Sequence, residues 1–172
     1  MEKFDVERNS HPRVRYQLTM KINKSPGPFD SAKGSMTYEI RNQSCVRPAP
    51  ISGVRVSQSE YPEFEMKKIA EDTYVGDVYF DLLEGGDYYG LGVCYWRLQS
   101  VNINLMTKSN ILRAGFSAKK IQDEQPRDLY FLLDDYEQGD RPKDNSAVPL
   151  NENNKKFLDE FFSVTFTGKR MF

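Results

Sequence analysis

One histidine, one tryptophan and two cysteines in 172 residues leave few routes to side-chain chemistry. The histidine, His11, stands in the polar N-terminal stretch MEKFDVERNSHPRVR. Ser-His-Asp and Cys-His mechanisms need an imidazole beside the nucleophile, so both are disfavoured. Cys45 and Cys94 form no CxxC unit and have no Cys/His partners at ligand spacing, which argues against zinc. No apolar run approaches the roughly 20 residues of a membrane span. The N-terminal stretch has no apolar signal core, which fits a cytosolic chain or a mature secreted domain whose leader has given way to a start Met. The phosphate loop GxxxxGK[ST] is absent. EGGDYYGLG is glycine-rich, but strand-like sequence follows it, so no helix N-terminus is there to cradle phosphate. DDYEQGD lacks the acidic spacing of a calcium loop. The sequence therefore predicts no enzyme, no catalytic residue, no metal site and no cofactor.

A net charge of −1 gives no global pull toward nucleic acid or membrane, and nucleic acid is not expected as a partner. The charge is unevenly spread. Residues 1–58 carry ten Lys/Arg against five Asp/Glu, whereas residues 121–144 carry eight Asp/Glu against three Lys/Arg. That second stretch is either a solvated loop or an acidic docking surface for a basic partner. Its candidates are Asp134, Asp135, Tyr136, Glu137 and Asp140. Paired carboxylates could act as acid and base, as in glycosidases. Asp134 and Asp135 would point to opposite faces of a strand, however, and Asp81 and Asp87 sit where aspartates commonly form turns.

What the chain has in quantity is period-two alternation. In RYQLTMKIN, Tyr16, Leu18, Met20 and Ile22 share one face; in SMTYEIRN, Met36, Tyr38 and Ile40 do. The two runs read as an antiparallel hairpin-like pair, residues 14–23 and 34–42. VRVSQ reads as a short strand, and the stretch after Pro62 as one helical turn. DTYVGDVYFDLL, ILRAGFSA, DLYFLLDDY and FFSVTFTG add further strands, and NENNKKFLDEFF a short helix. In GVCYWRLQSVNINLM, Val93, Tyr95, Val101, Ile103 and Leu105 share one face and Cys94, Trp96, Leu98 and Met106 the other, which predicts a long central strand covered on both sides, bent at a bulge. These elements predict an all-β, mostly antiparallel β-sandwich with long loops and one or two short helices. Residues 1–13 would be a flexible arm and residues 14–172 a single domain, with a closed barrel as the alternative.

The segment DYYGLGVCYWRL divides into two halves. CYWRL alternates like core, with Cys94, Trp96 and Leu98 on one face. Asp87, Tyr88 and Tyr89 lie at a glycine-rich turn, and Tyr-rich turns resemble protein-recognition surfaces. On residue types alone Cys45 and Cys94 are either a bridge or two buried thiols.

The order SPGPFDSAKGSMTYEIRNQSCV, ISG, TYVGDVYFD and DYYGLGVCYWRL resembles small periplasmic proteins and lipoproteins of Gram-negative bacteria. Immunity proteins encoded beside type VI secretion effectors are among them. PGPF at Pro26–Phe29, and Cys45 with GVCYW at Gly92–Trp96, carry the resemblance, which spans residues 14–118. It implies an exported β-rich domain with a Cys45–Cys94 disulfide joining two stacked sheets. It also implies a role as a binder that neutralises a cognate toxin in the periplasm, and a membrane tether through a removed N-terminal lipid anchor. A phospholipase and a peptidoglycan hydrolase both fit as the blocked effector. The rival reading is a carbohydrate- or lipid-binding periplasmic module.

Overall fold

The alternation in RYQLTMKIN becomes strand β1, Arg15–Asn23, whose Leu18, Met20 and Ile22 are buried. The computed structural model describes residues 3–108, 110–136 and 144–172. Ten strands follow one another along these residues. They are β1, β2 Ser31–Ile40, β3 Glu63–Glu65, β4 Lys67–Ala70, β5 Thr73–Tyr79, β6 Trp96–Met106, β7 Ile111–Ser117, β8 Arg127–Leu132, β9 Asp144–Ser146 and β10 Phe161–Met171. They form two five-stranded sheets, β4-β5-β1-β10-β8 and β3-β2-β6-β7-β9. Every pairing is antiparallel except β7 with β9. The all-β sandwich expected from the sequence is the fold.

The inner faces meet in one core. Leu18, Met20, Val78, Phe131, Phe162 and Val164 of the first sheet pack with Met36, Tyr38, Val101, Ile103, Leu105 and Leu112 of the second. Tyr38 is fully enclosed, and its hydroxyl donates to the Tyr79 carbonyl. That partner makes the buried phenol tolerable, and burial pushes its ionisation well above the ordinary phenol range. Gly34 is a glycine because the Phe64 ring lies where a Cβ would stand. Both lateral seams of the sandwich are bridged. On one side the chain passes from β3 to β4, and so from one sheet to the other, at buried Met66. On the other side β9 pairs with β7, and two residues later Val148 bridges to Tyr130 of β8.

Several local expectations fail for physical reasons. β1 and β2 are not a hairpin. The proline-containing link at residues 24–30 carries the chain across the core, so they lie in different sheets. Residues 54–58 form no strand, and the stretch after Pro62 is extended as β3 and β4, not helical. The Asn-rich segment does form the expected short helix, of 3-10 type at Lys155–Glu160, entered through a turn in which the Asn151 and Asn154 side chains accept from each other's amides. A short helix α1, Ala118–Gln122, capped by the Ser117 hydroxyl accepting from the Lys120 amide, was not anticipated.

Strand β6 is not covered on both faces. Tyr38 pairs with Leu98 and Thr37 with Ser100, so Gln99 is an extra residue. A bulge of this kind reverses the side-chain parity. Cys94 and Leu98 before it face inward together with Val101, Ile103 and Leu105 after it. Its two apparent apolar faces are one inner face counted on both sides of the bulge.

The N-terminal arm lies against the body. The Asp81 carboxylate accepts from the Arg13 and Val14 amides at 2.8 and 3.0 Å. Asn9 donates its amide to the Leu82 carbonyl at 2.8 Å, and Glu84 donates to the Glu7 carbonyl at 2.9 Å.

Candidate interaction site at the disulfide end

β2 and β6 pair through Ile40 and Trp96, and both chains continue past that end of the sheet. Beyond β2 a 3-10 turn, Gln43–Cys45, brings Cys45 inward. Just before β6, Gly86 and Cys94 exchange amide–carbonyl bonds at 2.8 and 3.1 Å and close a loop between them. These two turns bring the cysteines to a Cα separation of 5.4 Å, and they are joined as a disulfide, within the spacing such a bridge requires. The bridge does not cross from sheet to sheet as expected. It staples the loops at one end of two neighbouring strands of the same sheet.

The loop from Asp87 to Val93 turns through Gly90 and Gly92, at φ 73° and 102°, a region glycine enters at little cost. The Asp87 carboxylate accepts from the Gly92 amide at 3.2 Å and holds the turn. Tyr88 and Tyr89 lie half-buried, turned under the N-terminal arm and not outward. Tyr88 stacks on Phe4 with ring centroids 4.2 Å apart, and Tyr89 meets Phe4 edge-on at 5.3 Å. The Tyr88 hydroxyl donates to the Glu84 carbonyl at 2.8 Å and accepts from Trp96 Nε1 at 3.2 Å. Together they cover a small second core of Ile40, Cys45, Val46 and Cys94.

Other side chains reach solvent at this end. Leu91, Val93 and Tyr95 are 49 %, 44 % and 48 % exposed. Sequence reasoning missed them because it placed Val93 and Tyr95 on the face of Val101. The bulge at Gln99 puts residues of that parity outside. Asn42 fixes the crest, donating to the Val93 carbonyl at 2.8 Å and accepting from the Tyr95 amide at 2.7 Å. Ile51, Val54 and Val56 are also exposed, on the loop after the disulfide turn. Residues 41–59 carry Arg41, Arg47 and Arg55 and no acidic residue. Arg41 lies over the Tyr95 ring at 5.3 Å, and Arg47 donates to the Tyr89 carbonyl at 3.0 Å. The result is an apolar crest with a cationic border.

The acidic candidates lie elsewhere. Asp134, Asp135 and Tyr136 sit on a one-turn helix α2, Leu133–Tyr136. The Asp135 carbonyl accepts from the side chain of buried Asn110 at 3.0 Å. Tyr136 donates to the Pro28 carbonyl and meets Phe29 edge-on at 5.4 Å. Burial, with the Asp30 carboxylate behind it, raises its ionisation. Asn110 and Phe29 adjoin the start of β2 and the end of β6, whereas the disulfide lies at the end of β2. Ten residues of β2 separate the two groups, about 30 Å at the strand rise. The predicted site is therefore not one surface. Glu137 and Asp140 lie outside the described residues.

The carboxylate pair Asp81 and Asp87 is engaged with backbone amides, those of Arg13 and Val14 for Asp81 and that of Gly92 for Asp87. Among the described residues no three His, Cys, Asp or Glu are grouped to hold a metal ion, and no helix is long and apolar enough to cross a membrane. What fold and site define is a β-sandwich with two loops stapled by one disulfide. Comparison with protein-family models, curated proteins and solved structures found no match for the chain.

Proposed function

We propose that the chain is a binding protein of an oxidising compartment, and more narrowly a periplasmic immunity protein that neutralises a secreted type VI effector. One observation carries the reading. A disulfide joins two loops into a crest that exposes Leu91, Val93 and Tyr95 beside Arg41 and Arg47. Disulfides persist in oxidising compartments, the bacterial periplasm among them. Loops already held in one shape lose less freedom on docking. Tyr and Arg are also the residue types that anchor protein interfaces. The partner face that fits is apolar with an acidic rim. A phospholipase is the proposed effector, and a lipid anchor ahead of the arm would hold the inhibitor at the membrane where such an enzyme works.

The test uses the unreduced chain as bait against the secreted and periplasmic proteins of a bacterium with an active type VI system. The expected result is one stoichiometric protein whose enzymatic activity falls when the chain is added. Co-expression of the chain should relieve that protein's toxicity in the periplasm. Retention of a glycan or lipid with no protein partner would move the chain to the rival class of carbohydrate- or lipid-binding modules.

A further inference from the structure

The seat of Phe4 has the features of a peptide groove. Gln58 is only 4 % exposed, and its amide turns toward the arm. Its Oε1 accepts from the Phe4 amide at 3.2 Å, and its Nε2 donates to the Phe4 carbonyl at 3.0 Å. That pair of bonds recognises main chain and is indifferent to the side chain it carries. The side chain is recognised separately, between Tyr88 and Tyr89. Further along, the arm pairs with residues 82–84 through a single antiparallel bridge between Arg8 and Leu83, with main-chain bonds at Glu7 and Asn9. Main-chain bonds plus a pocket for alternate side chains is the strand-addition mode of peptide recognition.

The arm fills this groove incompletely. Not one of residues 3–13 is buried. Beside Val6 and Arg8 a cleft of about 390 Å³ stays open against Glu60, Tyr61, Pro62 and Glu63. At the aromatic seat itself, the hydroxyl of Tyr89, whose ring meets Phe4 edge-on, is enclosed without a hydrogen-bond partner. Glu60 and Glu63 make that wall acidic opposite Arg8, which gives the occupant a charge requirement as well as a shape.

We propose that this groove binds an extended segment of a partner protein with an aromatic, an apolar and a basic residue at alternate positions, and that the N-terminal arm occupies it in cis. Phe4, Val6 and Arg8 are the arm's own version of that pattern. The partner segment displaces the arm, fills the cleft beside Glu60 and Glu63, and offers an acceptor to Tyr89. Its aromatic seat lies on the half-buried side of the loop whose exposed residues form the crest, and the proposal does not depend on the partner being a toxin.

The test uses the full chain carrying Phe4→Ala, which leaves the main core untouched. The probe is a capped peptide of residues 3–9, KFDVERN, titrated while the emission of Trp96 is followed. Saturable binding to the variant is expected. Binding to the wild-type chain should be at least about tenfold weaker, because its own arm competes at high effective concentration. A peptide with alanine in place of phenylalanine should not bind. No saturable response in a folded variant, or equal affinity for variant and wild type, overturns the proposal. Hydrogen exchange on the wild-type chain is the second measurement. The Phe4 and Asn9 amides should exchange at least about a hundredfold faster than those of β1 and β10, through opening of the arm alone. Exchange of the arm only with global unfolding overturns the proposal. So does a wild-type dimer that Phe4→Ala abolishes, because the groove would then belong to the arm of a second copy.

Discussion

Replacing both Cys45 and Cys94 with alanine should destabilise the fold by about 5 kcal/mol, most of it through the unfolded chain. The bridge spans a sequence separation of 49 residues. Cross-linking a loop of that length removes roughly 14 cal/mol/K from the unfolded ensemble, or about 4 kcal/mol at 25 °C. Both cysteines are also buried, at 2 % and 0 % exposure. Removing the sulfurs leaves two small cavities that together cost roughly 1 kcal/mol more. The second core around them has only two other buried residues, Ile40 and Val46, so little else holds the stapled loops. Equilibrium urea unfolding of the oxidised wild type and the double variant measures the difference, followed by far-UV circular dichroism. With a slope of about 2 kcal/mol/M, the midpoint should fall by roughly 2.5 M. A fall of less than about 0.5 M would refute the reasoning. The Gly86–Cys94 and Ile40–Trp96 pairings would then be holding the loops without covalent help.

Three further predictions follow from the core and the crest. Phe131→Ala removes a ring that is 1 % exposed and stacked on Phe162 at 5.4 Å, and should cost about 3–5 kcal/mol in chemical denaturation; a loss under about 1 kcal/mol would mean the site collapses around the gap. Tyr38 keeps its proton in the folded chain to a higher pH than in the unfolded one, so the stability it contributes is intact below about pH 10 and is lost as pH rises above that value. Urea midpoints between pH 9 and 11 should therefore fall more steeply for wild type than for Tyr38→Phe, and parallel slopes would contradict it. Leu91→Asp with Tyr95→Ala changes exposed positions, so unfolding should move by no more than about 0.5 kcal/mol. Capture of the proposed protein partner should weaken by about 30-fold or more, as for loss of an interface anchor; unchanged capture would place the interface elsewhere.

How much of this was legible in the sequence depended on whether a feature was local. The inner faces of β1 and β2 could be read directly, because an unbroken strand keeps one parity and Leu18, Met20, Met36 and Tyr38 advertise it. Strand partners could not be read. The link from Asn23 to Ser31 looks like a hairpin connection, and only the meeting of the two sheets shows that it crosses the core. Parity also failed at Gln99, where one extra residue turned Val93 and Tyr95 from expected core into exposed crest. The half-burial of Tyr88 and Tyr89 was not legible for a different reason. Their neighbour in space is Phe4, more than eighty residues away in the chain. Asp134 and Asp135 look like a companion surface to that turn only in a list of charges, since the length of β2 lies between them. Gln58 carried no signal at all, because a buried amide looks like any loop glutamine until its main-chain partner is known.

The claim on which the rest depends is that the working protein carries the Cys45–Cys94 bond, because that bond shapes the crest and is the support for an oxidising compartment. The direct measurement is the intact mass of protein taken unreduced from its native source, denatured in the presence of an alkylating reagent. The account predicts a mass without alkyl adducts, and two adducts after prior reduction. Two adducts without reduction would show both thiols free, and would remove the grounds for an exported inhibitor.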